Sequence, residues 1–327
     1  MKTPGINRRT LVLATAGATL ASAAGAQGRA ARAVKIVVGF PPGQATDIVA
    51  RLLADQLKGV TGDTYIVDNK PGQGGSIAMG QVAKSPADGS VMMLTHMSAV
   101  AATPHMYKSV PYDALKDFEA VGLLGDLPFV LVCHPSLPFQ NVADLVRYAK
   151  AHPGRLTHAS SGNGTVSHLA MEALKRRAGI DMLHVPYRGS APGLTDVVAG
   201  QVSVALETAA AVRPFVQSGQ LKALGTGTPQ RMAAFPGVAT IAEQGFEGFS
   251  ASTWLMLIYP ASTDKALVQA TFEAMNKAMR TPEVEARLLQ IGAIPRFSAS
   301  PAEAAAYMRS EYAHWGEVVR QSKVTLD

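Results

Sequence analysis

Three loops rich in glycine and short polar residues are the segments of this sequence best suited to chemistry. They span residues 40–47, 69–76 and 159–165, and each joins a predicted strand to a predicted helix. The first turn of a helix has backbone N–H groups without intrahelical partners and carries about half a positive charge. Helix starts of this kind bind anions. The sequence therefore predicts an anion site built from main-chain amides, with an ordinary capped connector as the alternative for each loop taken alone.

The same loops lack the motifs of nucleotide-binding and catalytic sites. Residues 69–76 are not followed by Gly-Lys-Ser/Thr, and Ile77 stands where a dinucleotide fingerprint would need its last glycine. Ser161 and His168 lie at one helix start without a Gly-x-Ser-x-Gly elbow. His168 and Glu172 share a helix face, but two groups are too few for zinc. We expect no catalytic residue, no metal site and no cofactor.

Short β-branched runs alternate with helical segments from residue 34 onward, which predicts an α/β protein with parallel strands. The strands are predicted over 34–39, 65–68, 91–95, 129–133, 183–185, 202–206 and 221–225, and the helices begin near Asp47, Ser76, Asn141, Val166, Gly193 and Val212. Thr46-Asp47 and Asn141 are expected to cap their helices. The C-terminal third is predicted to be helical over 265–280, 283–291 and 301–323.

Two extended apolar runs, 125–134 and 250–260, are predicted to carry the chain between two halves, because no low-complexity linker separates them. If the chain passes from one lobe to the other at both runs, one lobe comprises residues 27–127 plus 255–327 and the other comprises 128–254. Cys133 is the only cysteine, so an intramolecular disulfide is excluded, and its apolar neighbours predict a buried, inert thiol.

Residues 1–26 have the pattern of an export signal. Lys2, Arg8 and Arg9 precede an apolar stretch and a small-x-small sequence that ends at Ala26, with no acidic residue. We expect cleavage near Ala26 and a periplasmic location, and the arginine pair leaves the general secretory and twin-arginine routes both open. Loss of these three basic residues lowers the formal charge from +6 to +3, so a nucleic-acid surface is not expected.

Residues 184–196, of sequence His-Val-Pro-Tyr-Arg-Gly-Ser-Ala-Pro-Gly-Leu-Thr-Asp, with the Gly-Gln-Val at 200–202, resemble the Bug-type receptors of tripartite tricarboxylate transporters. The same family is resembled by residues 40–47 with 51–53, 71–75 with 83–84 and 86–89, 219–224, and 236–245. The resemblance implies a two-lobe type II periplasmic binding protein (Venus-flytrap) fold with a double crossover. It also implies that the ligand is a small carboxylate held in the cleft by main-chain amides, short hydroxyls and water.

The resemblance places ligand contacts on both lobes. The residues so identified are Phe40, Gly43, Gln44, Ala45, Thr46, Gly74, Gly75, Ser76, Thr95, Ser98, Ser161, Gly164, Thr165, His168 and Glu207. Two of them depart from the family pattern: Gln44 replaces a glycine, and Glu207-Thr208 replaces Asp-Asn. The longer carboxylate could tune the pocket to an amine, an amide or a protonated ligand atom. Arg188 is expected in a loop near the hinge, with a role as carboxylate clamp as the alternative.

The function implied is that of a monomeric periplasmic solute-binding protein without enzymatic activity, which delivers its carboxylate to the permease subunits of a tripartite tricarboxylate-type transporter. Two alternatives remain open: a periplasmic sensor that docks on a receptor kinase, and an exported enzyme on the same fold. The sequence does not identify the ligand, and it does not separate uptake from sensing.

Overall fold

The computed structural model of the protein describes residues 31–322. The export signal predicted over residues 1–26 lies outside the described residues, as does the predicted end of the last helix at Lys323. Within the described range, no helix is long and apolar enough to cross a membrane.

The strands of the described chain form one hydrogen-bonded path, in the order β2-β1-β3-β9-β4-β7-β5-β6, with β8 and β10 also paired to β4. They are Ala33–Val38 (β1), Thr64–Asn69 (β2), Val91–His96 (β3), Phe118–Cys133 (β4), Thr157–Ser160 (β5), Leu183–Pro186 (β6), Val204–Thr208 (β7), Lys222–Thr226 (β8), Ser252–Pro260 (β9) and Ile294–Pro295 (β10). The outer pairs are parallel, as predicted, whereas β4 and β9 in the middle are antiparallel to their neighbours.

Helices cover both faces of this sheet, as the α/β class requires. They are Ala45–Thr61 (α1), Ser76–Val82 (α2), Thr103–Met106 (α3), Val142–Ala151 (α4), Val166–Ala178 (α5), Ser190–Val198 (α6), Ala209–Gln217 (α7), Lys265–Met279 (α8), Pro282–Ile291 (α9) and Pro301–Ser322 (α10). A 3₁₀ turn at Gln73–Gly75 precedes α2, and a π turn at Ser98–Ala102 precedes α3.

Strand β4 belongs to both halves of the sheet. Its residues up to Pro128 pair with β9, and from Phe129 onward it pairs with β7 and β8. Only residues 129–133 were predicted as strand, with an extended run from 125. The earlier part carries Gly122 and Gly125 at register shifts, and these interrupt the alternation that a sequence pattern needs.

Packing on both faces of β4 explains the buried cysteine. Val130 and Val132 face one apolar cluster, whereas Leu131 and Cys133 face another, as alternation along a strand requires. The prediction of a buried Cys133 is confirmed. Burial raises the pKa of its thiol to about 11, so the thiol stays protonated at neutral pH.

Several predicted helix starts differ from the structure by two or three residues. Helix α1 begins at Ala45, so Asp47 lies inside the first turn, and the expected cap by Thr46-Asp47 is wrong. The cap predicted at Asn141 is confirmed, because its side chain accepts the amide of Asp144 at 2.8 Å. Strand β5 was not predicted, because its sequence, Thr-His-Ala-Ser, contains no apolar β-branched run.

Asp47 instead fixes the loop between β1 and α1. The buried carboxylate accepts the amide of Gly43 at 2.8 Å and two guanidinium hydrogen bonds from Arg51 at 2.9 Å. Asn69 donates both to Asp47 at 3.0 Å and to the carbonyl of Phe40 at 2.9 Å. Burial acts to raise the pKa of Asp47, but the hydrogen bonds from its three donors outweigh burial and lower the pKa.

Asp47→Asn should therefore lower the free energy of unfolding by about 1–3 kcal/mol, because a charge-assisted network loses its acceptor. Urea unfolding at neutral pH measures the loss. The loss should begin to shrink as the pH falls below about 4, where the unfolded carboxylate takes up a proton, and it should disappear below the lowered pKa of the folded carboxylate.

Asp144→Asn is the matched control, since Asp144 also accepts a backbone amide, from Gln140 at 2.9 Å, and pairs with an arginine. Its side chain is 20% exposed and its partner Arg147 is 76% exposed, so this substitution should cost less than about 1 kcal/mol. Equal losses in the two variants would contradict this account.

Candidate functional site

A small buried cavity lies where the ends of β1, β3, β7 and the start of α5 meet; we call it the inner cavity. Its lining consists of Phe40, Gln44, Ala45, Thr46, His96, Ser98, Leu127, Phe129, Ser161, Thr165, Val166, Glu207, Thr208 and Thr253. Its volume is about 20 Å³, which is enough for one water molecule. Eight of the residues predicted for the site line this cavity: Phe40, Gln44, Ala45, Thr46, Ser98, Ser161, Thr165 and Glu207.

A larger cavity of about 590 Å³ adjoins it; we call this the outer cavity. Phe40 and Ser161 line both cavities, so the inner cavity is the deep end of one cleft. Gly74, predicted for the site, lines the outer cavity, as does the exposed Arg188. Residues from both halves of the sheet therefore form the walls of the cleft.

The remaining predicted residues are not among the lining of either cavity. Gly43, Gly75, Ser76, Thr95, Gly164 and His168 form this group. The Thr95 hydroxyl donates to the sulfur of Met79 at 3.3 Å, and the Ser76 hydroxyl donates to Gln73 at 3.1 Å. The Gly164 amide donates to Nδ1 of His168 at 3.2 Å. These residues support the loops that carry the cavity walls.

Three helix starts converge on the inner cavity. Gln44, Thr165 and Thr208 are the N-cap residues of α1, α5 and α7, and all three line the cavity. None of their side chains caps its own helix. The first-turn amides of three helices, together with the positive ends of their dipoles, therefore surround one small space. Such an arrangement stabilises an anion.

Glu207 introduces a carboxyl group into this electropositive surrounding. It is 2% exposed, and Oε2 accepts a hydrogen bond from Ser190 at 2.7 Å, while Oε1 has no hydrogen-bond partner among the described residues. Burial raises the pKa of Glu207 to about 7; the nearby Ser190, Ser161 and Ser167 hydroxyls and the Thr208 amide oppose the rise without cancelling it.

Unpartnered polar atoms are concentrated around the inner cavity. Within the described chain, the buried atoms Gln44 Oε1, His96 Nε2, Glu207 Oε1, Thr208 Oγ1 and Thr253 Oγ1 lack hydrogen bonds, and all five residues line the cavity. A buried polar group without a partner costs about 1–3 kcal/mol, so such groups persist where a ligand or water completes them. The cavity is therefore the candidate binding site of the cleft.

Three polar residues of this wall, His96, Thr208 and Thr253, were not among the predicted site residues. Burial lowers the pKa of His96 to about 3, and its ring contacts that of Phe40 at a centroid distance of 4.4 Å. Thr208 follows Glu207 at a strand end and could have been included. Thr253 comes from the antiparallel β9, and no local pattern indicates that it reaches this cavity.

His168 and Glu172, which the sequence places on one helix face, do not contact a common point. Glu172 accepts from Lys175 at 2.7 Å and pairs with His158 at 3.2 Å, while His168 stacks on His184 at a centroid distance of 4.1 Å. Over residues 31–322, no group of three or more His, Cys, Asp or Glu side chains could hold a metal ion.

The raised pKa of Glu207 predicts a pH-dependent stability in the ligand-free protein. Between pH 4.5 and 7 the folded state holds a proton that the unfolded state releases, so stability falls as the pH rises through this range. Relative to Glu207→Gln, the wild type should lose on the order of 3 kcal/mol between pH 4.5 and 8. Thermal unfolding across this range measures the difference.

Glu243→Gln is a control in which the effect on stability should change with pH in the opposite direction. The Thr240 amide and Arg231 lower the pKa of the exposed Glu243 carboxyl, so this substitution should be more harmful at pH 7 than at pH 4. If the difference in free energy of unfolding between wild type and Glu207→Gln does not change with pH, the pKa of Glu207 is not raised in the folded protein.

Comparison with known proteins assigns this chain to a family. The model of the tripartite tricarboxylate transporter family receptor matches residues 49–324. Protein BugT of Bordetella pertussis is 34% identical over 317 residues, covering 97% of this chain and 96% of that protein.

Two solved structures share the fold and carry bound carboxylates. Rpa4515 of R. palustris with adipate has a TM-score of 0.87 and 31% identity, covering 91% of this chain and 99% of that chain. MatC from Rhodopseudomonas palustris with bound malate has a TM-score of 0.81 and 29% identity, covering 88% of this chain and 99% of that chain. The two-lobe type II fold predicted from the sequence is confirmed by this similarity. The chain therefore belongs to the tripartite tricarboxylate transporter receptor family, with the Bug-type periplasmic binding proteins.

Proposed function

We propose that the protein captures a small carboxylate in its cleft and delivers it to a tripartite tricarboxylate-type membrane transporter. The observation that carries this proposal is the convergence of three uncapped helix N-termini on one buried cavity. First-turn amides and short hydroxyls recognise a carboxylate without a fixed positive side chain. The adipate and malate in the related structures support the same class of ligand.

Ligand access to the inner cavity requires the two halves to separate. The inner cavity has room for about one water molecule, which is far smaller than any organic acid. Contacts also cross the cleft: a Cβ built on Gly189 would lie 2.9 Å from Cγ of Pro41 and 3.1 Å from Oε1 of Gln44. We infer a closed form, from which the lobes rotate apart about the segments where β4 and β9 pass between them.

The lobe boundaries remain part of this proposal: 27–127 plus 255–327 for one lobe and 128–254 for the other. So do the export signal over residues 1–26, the periplasmic location that it implies, the monomeric state and the docking of the closed form on the permease subunits. The family to which the chain belongs consists of transport receptors, which favours uptake over the sensor and enzyme alternatives.

A thermal-shift screen of the purified protein tests the ligand class. The panel contains mono-, di- and tricarboxylates, amino acids and aromatic acids, each paired with its amide or ester. A carboxylate present at 100 times its Kd should add about 2.7 kcal/mol to the free energy of unfolding, and its uncharged counterpart should add nothing. Stabilisation by neutral or cationic compounds alone would overturn the assignment.

Gly189→Ala tests closure. The added methyl group would meet Pro41 and Gln44 across the cleft, so the variant should bind a carboxylate found in the screen at least about tenfold more weakly, about 1.4 kcal/mol. Isothermal titration calorimetry measures this loss.

Gly245→Ala is the matched control. Gly245 has a similar backbone conformation, φ +97° against +109° at Gly189, but an added Cβ there meets nothing within 4 Å. Both variants should lose comparable stability from backbone strain, and only the cleft variant should lose affinity. Equal affinities in the two variants would contradict the closed geometry.

A further inference from the structure

A third cavity, of about 200 Å³, lies between α5, α10 and the segment 248–252 at the start of β9; we call it the α5–α10 cavity. We propose that it is a second ligand site, separate from the cleft, which binds a small apolar monoanion about the size of benzoate. In the lobe division proposed above, α5 belongs to one lobe and α10 to the other. The site itself does not depend on what the cleft binds, and only its coupling to the cleft rests on the proposed function.

The size and the apolar wall of the α5–α10 cavity suit a single ring or a short alkyl chain. The buried side chains of Val166, Phe249 and Val319 line it, together with the partly buried Trp315. An apolar cavity of about 150 Å³ already binds benzene in a protein interior. A ring-sized molecule therefore fits the cavity as it stands, and its apolar surface would leave water on binding.

Two arginines of α5 give this apolar cavity a positive wall. Arg176 and Arg177 line it, and within residues 31–322 neither of them pairs with a carboxylate. The Arg177 guanidinium lies 6.0 Å from the centroid of the Phe249 ring and donates one hydrogen bond, to the carbonyl of Glu247 at 3.3 Å. A guanidinium has five N–H donors, so most of those on Arg177 are available to a carboxylate.

Glu172 also lines the α5–α10 cavity, but its negative charge is already compensated. Its carboxylate accepts from Lys175 at 2.7 Å and pairs with Nε2 of His158 at 3.2 Å. The charged side chains of the wall are therefore two arginines without acidic partners and one glutamate that has a lysine beside it. This balance favours an anion over a neutral or cationic molecule of the same size.

Ser252 supplies a polar atom that the described chain leaves unpaired at this cavity. Its Oγ is buried without a hydrogen-bond partner, and Ser252 lines the cavity. Ser252 is the strand partner of Pro128 in the β9–β4 ladder, at the point where β4 changes partners. A buried hydroxyl without a partner persists where a ligand or a water molecule completes it. The cavity thus combines apolar walls, free guanidinium donors and an unmet hydroxyl.

Val166 links the α5–α10 cavity to the cleft. It is the first residue of α5, and it lines both this cavity and the inner cavity. The α5–α10 cavity has its volume of about 200 Å³ in the closed form inferred above, and rotation of the lobes would move α5 relative to α10. An anion that fits this cavity in the closed form therefore favours closure. By linkage, it should raise the affinity of the cleft for its carboxylate.

Calorimetric titration of the full-length protein with benzoate tests the site, after the cleft has been saturated with the carboxylate found in the screen. Benzamide, the uncharged counterpart, is titrated in parallel. One benzoate should bind per protein, at least tenfold more tightly than benzamide, because only benzoate offers a charge to the arginines. If saturated protein binds no benzoate, the second site does not exist. If the screen finds no carboxylate, the proposed function fails, and titration of the unliganded protein and its variants still tests the second site.

Two substitutions in the wall locate the binding. Arg177→Gln should weaken benzoate at least tenfold and leave benzamide unchanged, whereas Ala173→Phe fills the cavity and should abolish the binding of both. Arg287→Gln is the matched control, since Arg287 is an exposed arginine of α9 that does not line this cavity, and it should change neither. Arg177→Gln alone decides the matter if Ala173→Phe does not fold. Benzoate binding that these variants leave intact would lie elsewhere and would overturn the site.

Coupling to the cleft is measured as the affinity for the cleft carboxylate with and without saturating benzoate. Benzoate should raise this affinity at least about fivefold in the wild type, and Arg177→Gln should remove the gain. An unchanged or lowered affinity would overturn the coupling. Sedimentation of the same samples tests another occupant: a dimer that Ala173→Phe abolishes would assign the cavity to a contact between two copies of the chain and would overturn the small-molecule site.

Discussion

Buried hydrogen-bonding groups that the protein itself does not pair determine the character of this molecule. Three helices begin at one small cavity, and polar side chains around it remain without partners. Helix starts normally satisfy their amides by capping or by water. Here the N-cap side chains of α1, α5 and α7 do not cap their own helices, so the first-turn amides are left to whatever occupies the cleft. The two halves of the sheet, their connecting strands and the glycine-rich loops all serve to bring these groups together.

Stability elsewhere in the fold supports this arrangement. The loop that carries Phe40 and Gln44 is held by the buried Asp47, which uses three donors from three chain segments. Both faces of the sheet are covered by apolar clusters, which offset unpaired groups at the cavity. The loop that leads into α1 is thus held in place by hydrogen bonds, whereas polar groups of the cavity wall are left unpaired for a ligand. Preorganised binding sites have this combination.

The sequence allowed prediction of those parts of the fold that depend on local pattern. Apolar β-branched runs located β1 to β3 and β6 to β8, and the glycine-rich loops located the start of α5. Strand β5 is too short and polar to be recognised, and the first part of β4 is interrupted by glycines. Thr253 could not be assigned to the site, because an antiparallel strand from the far end of the chain brings it there. Family resemblance located Glu207, but only the structure reveals its isolation from cations.

Strand β4 has a consequence for the mechanics of the molecule. Because it changes partners between Pro128 and Phe129 without leaving the sheet, the passage between the halves is itself part of a hydrogen-bonded ladder. A connector of this kind has its backbone hydrogen-bonded on both sides of the passage, unlike a flexible linker. The path of the chain between the halves is therefore fixed by the same ladder that holds the sheet together.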